Sequence, residues 1–343
     1  MAVTIEDIPK EAQVSIATVS RVINDSKAVS PELRVRVLDA IERNHLKPNS
    51  FARGLVTDRS NIIGVIVTDI SNPVISTTIK GINSVCQEKG FTVLISESDG
   101  DGKKEQQLLE RLEEQKVTGV LLAGMNVDAD RVQEMLKMDF PIVMVTQQSS
   151  DGKITINTVI HDNIKAIMDA VFFLHVNGHQ RIAFIGGPEN DYSSGEQRLR
   201  GFRRAVDQLE LEIPETYIVH GDFTYEGGRE CMRQIYEENA LLPTAVLVCS
   251  DLMAAGAVSG ASGLGLRIPE DLSIMGFDDT ELARYLNPAL STVRIPYFEE
   301  GRRAAQELFE LIESGEKATG KLVYVSHKVI RRFSVKSLSG TDR

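Results

Sequence analysis

Seven short apolar runs, spaced by turn-rich and helical sequence, limit the fold of this chain more than any other feature. IIGVIV, FTVLIS, GVLLAG, IVMV, RIAFIGG, AVLVC and LSIMGF each read as a strand buried on both faces. Between them, 103–116, 162–177, 196–209, 226–238 and 297–313 carry helical periodicity. Strand–helix alternation sustained from Ile62 onward predicts an α/β fold of doubly wound parallel sheets. The stretch exceeds one comfortable sheet, so two similar subdomains with a cleft between them are expected. Ligands in such folds sit at the carboxyl ends of strands. Several of these strands end in polar residues: Asp69-Ile70-Ser71-Asn72, Ser96-Glu97-Ser98-Asp99, Ser250-Asp251 and Asp278-Asp279.

Residues 1–45 read differently, as three short helices without a strand. Thr4 can cap the first, with Asp7 at the capping-box position. Ser15 can cap a second beginning at Ile16, and Ser30-Pro31 opens a third with proline in its first turn. In a helix-turn-helix the second helix enters the major groove. Here its first turn offers Ile16, Ala17, Thr18 and Ser20, with Arg21 next, able to bond guanine bidentately, and Asn24 at its end able to hold a phosphate. Val19 and Val22 face back onto the other helices. An ordinary small helical bundle would carry the same caps.

The net charge of −11 would repel nucleic acid if spread evenly, but it is not. Residues 1–60 hold nine Lys/Arg against eight Asp/Glu, leaving −12 on the remainder. The 42% apolar and 25% charged residues are globular proportions. No apolar run approaches the roughly 18–20 residues needed to cross a bilayer. MAVTIEDIPK lacks the basic and apolar regions of a signal peptide, so a cytoplasmic protein is expected. Cys86, Cys231 and Cys249 form no CxxC pair and read as small buried side chains.

The strings TIEDIPKEAQVSIATVSRVIND, KPNSFARGL and IIGVIVTDISNP closely resemble the N-terminal region of the LacI/GalR family of bacterial repressors. The resemblance continues, in order, through GHQRIAFIGGP, RLRGFRRAV, GLRIPEDLSIMGFDD and LSTVRIPYFEEGRRAA. It implies an all-α helix-turn-helix head (1–46), a hinge (47–60) and a periplasmic-binding-protein-like core (61–343). The first subdomain would span about 61–159 and 292–321, the second about 160–291 and 322–335. It further implies a homodimer binding double-stranded, near-palindromic operator DNA. The family's hinge becomes helical on DNA, its leucine (here Leu55, beside Asn49, Ala52 and Arg53) opening a central step from the minor groove. Thr4 and Ser15 join the recognition-helix residues as DNA contacts.

The family pattern also places an effector in the cleft. Arg198 in RLRG would bond it, Asp251 in CSD would take sugar hydroxyls, and Phe223 in GDF would pack on it. Asp69, Asn72 and Ile75 would border the cleft, with Thr146, Asp162, Asp278 and Tyr297 as further candidates. This acidic, basic and aromatic mixture suits a sugar or sugar phosphate. Asp251 can alternatively cap a helix over 252–264, and Asp278 can serve a turn. A purine or nucleoside, or a protein corepressor, is the alternative signal, and a sugar-transport component a more distant one. The chain departs from the family at Pro9, Gln13 and Leu46, and has Val74-Ile75 where an aromatic pair is common. Pro9 strains a helix that runs from Ile5 but suits one that begins near Ile8, and Gln13 sits where the turn prefers glycine. The C-terminus adds no leucine heptad, which favours a dimer over a tetramer. No nucleophile–base set or metal cluster emerges, so neither enzyme activity nor a cofactor is expected.

Overall fold

The computed structural model describes residues 8–24, 29–44, 60–124 and 127–338. Three helices form the head: α1 (Ile8–Ala12), α2 (Ile16–Asn24) and α3 (Pro31–Arg43). Ile8, Ala12, Val19, Val22, Val37, Ala40 and Ile41 bury together between them. Ser15 starts α2 as expected, its Oγ accepting the Thr18 N–H at 3.2 Å. Gln13 takes φ +50°, the left-handed turn where glycine would be unstrained. Val14 N–H donates to Pro9 O (3.0 Å), and Arg36 clamps the end of α1 by donating to Ala12 O (2.6 Å). Pro9 lies in the first turn of α1 as described, where a missing N–H costs nothing.

The core follows in chain order: β1 (Ile62–Val67), α4 (Pro73–Glu88), β2 (Thr92–Glu97), α5 (Gly102–Glu114), β3 (Gly119–Ala123), α6 (Ala129–Met135), β4 (Ile142–Val145) and β5 (Asn157–His161). The second unit begins with α7 (Asn163–Val176), β6 (Ile182–Gly186), a π-turn (Tyr192–Glu196) and α8 (Gln197–Gln208). It continues with β7 (Ile218–His220), α9 (Tyr225–Glu238), β8 (Ala245–Val248), α10 (Asp251–Gly263), β9 (Ser273–Asp278), α11 (Glu281–Tyr285) and β10 (Ser291–Arg294). Then come α12 (Tyr297–Ser314), β11 (Leu322–Val325) and β12 (Lys328–Ile330).

Two six-stranded sheets result, ordered β2-β1-β3-β4-β5-β11 and β7-β6-β8-β9-β10-β12. Every pairing is parallel except β10 with β12. Each sheet therefore reverses its winding once, between β1 and β3 and between β6 and β8. Such reversals open a crevice at the carboxyl ends of strands.

The chain crosses between units three times: after β5, after β10 and after β11. The sequence boundaries placed 292–321 in the first unit and 322–335 in the second. Instead β10 pairs with β9, and β11 pairs with β5. Both are runs of four residues whose partner is chosen by register, not by composition.

Within each unit one helix pair is locked by reciprocal glycines. A Cβ on Gly81 would lie 2.0 Å from Phe298 O, and one on Gly301 2.1 Å from Thr78 O, so α4 and α12 touch backbone to backbone. In the second unit, Gly228 against Met253 O (2.0 Å) and Gly256 against Tyr225 O (1.9 Å) do the same for α9 and α10.

Candidate functional sites in the head and the cleft

On the head, α2 divides cleanly. Val19 and Val22 are buried, whereas Ser15, Ile16, Ala17 and Arg21 are exposed and Thr18 is half-buried. Ile16 keeps 57% of its surface in solvent, an unusual position for a β-branched side chain on so small a body. It gives the first turn an apolar contact beside the Arg21 donor, a pairing able to read a thymine methyl and a guanine edge. Ser20 and Asn24 lie on α2, but their side chains fall outside the described residues, as do Thr4, Asn49, Ala52, Arg53 and Leu55.

A cleft of about 460 Å³ is lined by segments that follow strand ends in both units. Of the ten residues expected there, seven line it: Asn72, Ile75, Thr146, Arg198, Phe223, Asp278 and Tyr297. Asn72 also caps α4, its Oδ1 accepting the Val74 N–H at 2.9 Å.

Three do not line it. Asp69 is an exposed turn former, accepting from Ser71 N–H and Oγ–H at 2.7 and 2.6 Å. Asp162 caps α7, accepting the Lys165 N–H at 2.9 Å. Asp251 is fully buried behind the cleft, where it accepts from Thr280 N–H (2.7 Å), Thr280 Oγ–H (3.1 Å) and Thr292 Oγ–H (2.7 Å). Nor does Asp251 cap α10: Ser250 does, accepting the Met253 N–H. Asp278 does more than serve a turn, since it accepts the Tyr297 hydroxyl at 2.6 Å at the cleft floor.

Arg198 anchors the centre. It is buried on α8, with Nε donating to Asn163 Oδ1 (2.8 Å) and Nη1 to the Cys249 carbonyl (2.5 Å). Its guanidinium carbon stands 3.9 Å from the Phe277 ring centroid, a desolvated cation–π contact. Burial raises the Asp278 pKa, and the Arg198 charge and Tyr297 hydroxyl oppose that rise. Burial, then the Asp278 charge, push Asp251 up to about 8. Tyr297 is held well above the usual phenol range by burial and by Asp278. Burial likewise pushes the Cys249 thiol up to about 12, and Cys86 and Cys231 to about 11, so all three are unreactive.

Sequence reading missed His161, Asp191 and Ser194. His161 ends β5, within hydrogen-bond distance of Glu300 Oε2 (3.3 Å) and Asn163 Oδ1 (3.0 Å), its ring edge-on to Tyr297. Asp191 caps the π-turn, accepting the Ser194 N–H at 2.8 Å. The available signal was a polar residue closing a strand, the same one that marked Asp69 and Asp278, but NTVIH does not read as a strand. The two units also touch directly, Gln148 N–H donating to Ser193 Oγ at 3.2 Å. No group of three metal-ligating side chains occurs among the described residues, and no described helix is long and apolar enough to cross a membrane.

Comparison with known proteins matches residues 4–49 to the bacterial regulatory proteins of the lacI family and residues 171–335 to a periplasmic binding protein-like domain. Catabolite control protein A of Priestia megaterium is 35% identical over 336 residues, 98% of this chain and 100% of the relative. The transcriptional repressor CytR of Escherichia coli K12 is 34% identical, covering 96% of both chains. Among solved structures, the lac repressor dimer bound to operator and an anti-inducer superposes with a TM-score of 0.86 at 26% identity, covering 98% of this chain and 100% of that one.

Proposed function

This chain belongs to the LacI family of bacterial regulatory proteins, and from that premise we propose that it is a cytoplasmic, homodimeric repressor of carbohydrate-utilisation genes. Its paired heads read a near-palindromic operator under control of a small effector bound in the cleft. The function is regulatory, not catalytic. In the head, Ile16, Ala17, Thr18, Ser20 and Arg21 read bases while Thr4, Ser15 and Asn24 hold the backbone. Asn49, Ala52, Arg53 and Leu55 engage the minor groove. In the core, Arg198 and Asp278 take effector hydroxyls, Phe223 covers an apolar face, and Asn72, Ile75 and Thr146 close the first-unit side. Asp251, by its place behind the cleft, orients Thr280 and Thr292 instead of touching the effector. A component of a transport system would have no use for the head.

The observation that carries this reading is the exposed first turn of α2, with Ile16 and Arg21 presented and Val19 and Val22 buried, on the same chain as the Arg198–Asp278 cleft. Arg21→Ala tests it. Against a duplex selected by the parent from random sequence, the variant should lose about 1–3 kcal/mol, or roughly 5- to 150-fold, of discrimination over random DNA at fixed salt. It should remain dimeric. Undiminished discrimination would remove Arg21 from base reading.

A further inference from the structure

We infer that the cleft selects an uncharged, hydroxyl-rich effector, of monosaccharide to nucleoside size, and rejects the phosphorylated form of the same molecule. The inference rests on reading the cleft as the effector site and adds a charge rule to it.

The ionisable carboxylate and cationic side chains that line the cleft are Lys80, Asp191, Arg198, Asp278, Asp279 and Glu281, two cations against four anions. Their placement sharpens that imbalance. Asp279 is already occupied by Arg294 (2.5 Å) and Arg332, and Lys80 and Glu281 are exposed at the rim, where solvent screens them. At the buried centre remain Arg198, Asp191 and Asp278, one permanent cation with two carboxylates, beside His161, which faces the buried carboxylate of Glu300 at 3.3 Å. Arg198 is also partly committed, to Asn163, to the Cys249 carbonyl and to the Phe277 ring.

A phosphate seeks donors in surplus, and this centre has acceptors in surplus. Hydroxyl groups fit it: they donate to carboxylates and accept from the remaining guanidinium N–H groups. Burial raises the pKa of Asp278 and of Asp251 behind it, and the same desolvation opposes a further anionic charge placed there. His161, the amino end of α4 and the Lys80 ammonium pull the other way, but Glu300 faces the His161 ring and Asn72 already occupies the Val74 N–H. Like-charge rejection of this kind separates two ligands that are otherwise the same shape. Phe223 from the second unit, with Val74 and Ile75 from the first, supplies the apolar surface that a sugar or base face requires.

The test uses the full-length protein, thermal melting and calorimetry with matched pairs: ribose and ribose 5-phosphate, glucose and glucose 6-phosphate, cytidine and cytidine 5′-monophosphate, adenosine and adenosine 5′-monophosphate. At least one uncharged member should bind, and at least tenfold more tightly than its phosphorylated partner. Asp278→Asn should narrow that ratio. Phosphorylated members binding as tightly or more tightly, or no uncharged member binding, overturns the inference. Arg198→Met, and Leu282→Trp as a second way of obstructing the cleft, separate the two levels of argument. Phosphorylated ligand that binds the parent but neither variant leaves the cleft as the site and defeats only the charge rule. Uncharged ligand that binds both variants undiminished places the site elsewhere and overturns both.

Discussion

Arg198 should prove as important to the folded core as to any ligand. Replacing it with methionine keeps much of the stem's volume and removes the guanidinium. The Cys249 carbonyl then loses its donor, Asn163 Oδ1 keeps only His161, and Asp278 loses the guanidinium whose charge opposes the effect of burial. Each buried acceptor left without a partner costs about 1–3 kcal/mol, and stripping a buried charge of its counter-charge about 3–5 kcal/mol. Partial rewetting of the cleft makes these terms overlap, so we predict a loss of about 3–5 kcal/mol for Arg198→Met. Asp278→Asn alone should cost about 1 kcal/mol, because it removes a carboxylate that burial already opposes while keeping an acceptor for the Tyr297 hydroxyl. The double variant should then lose about 1–3 kcal/mol less than the sum of the singles. Urea unfolding followed by circular dichroism closes the cycle; the chain has no tryptophan to report by fluorescence. Singles that add to within about 0.5 kcal/mol would mean that the two charges do not sense one another, and the electrostatic account of the cleft would fall with them.

Two further outcomes follow from the described geometry. Gln13→Gly should slow amide exchange at Val19, Val22 and Val37: relief of a left-handed residue is worth about 1–2 kcal/mol, less about 0.5–1 kcal/mol for a more flexible unfolded chain; unchanged or faster exchange would show that the turn is unstrained. Asp251 carries a folded pKa of about 8, well above its ordinary value, so the native state holds an extra proton between about pH 4 and 8 and loses stability as pH rises through that window. Asp251→Asn should flatten the fall of melting temperature from pH 5 to 8, and parallel profiles for parent and variant would assign the slope to another group.

The long apolar strands were legible because burial on both faces leaves an unbroken run that nothing else in a globular chain requires. IVH, STVR and KVI were not, because three or four residues of mixed polarity owe their strand state to a neighbour already in place. The two crossings after β10 and β11 were misplaced for the same reason. At the cleft, sequence brought seven of ten residues to one place, yet it could not separate Asp278 from Asp251. Each follows a buried strand and each precedes a helix. Only the fold turns one carboxylate to the cleft and the other toward Thr280 and Thr292.

The three crossings between units also set the mechanics. One residue, Asp162, separates β5 from α7; two separate β10 from α12, and two separate β11 from β12. At about 3.3–3.6 Å per residue such links cannot lengthen. With each unit stiffened by its glycine-locked helix pair, the short links oppose separation of the two units. Rotation of one unit on the other is the motion such links favour, and His161, Ile295 and Tyr297 stand at two of the three crossings while also lining the cleft. A molecule seated there lies beside the crossings, whereas the start of β1, from which the chain leads back to the head, lies at the opposite end of its strand.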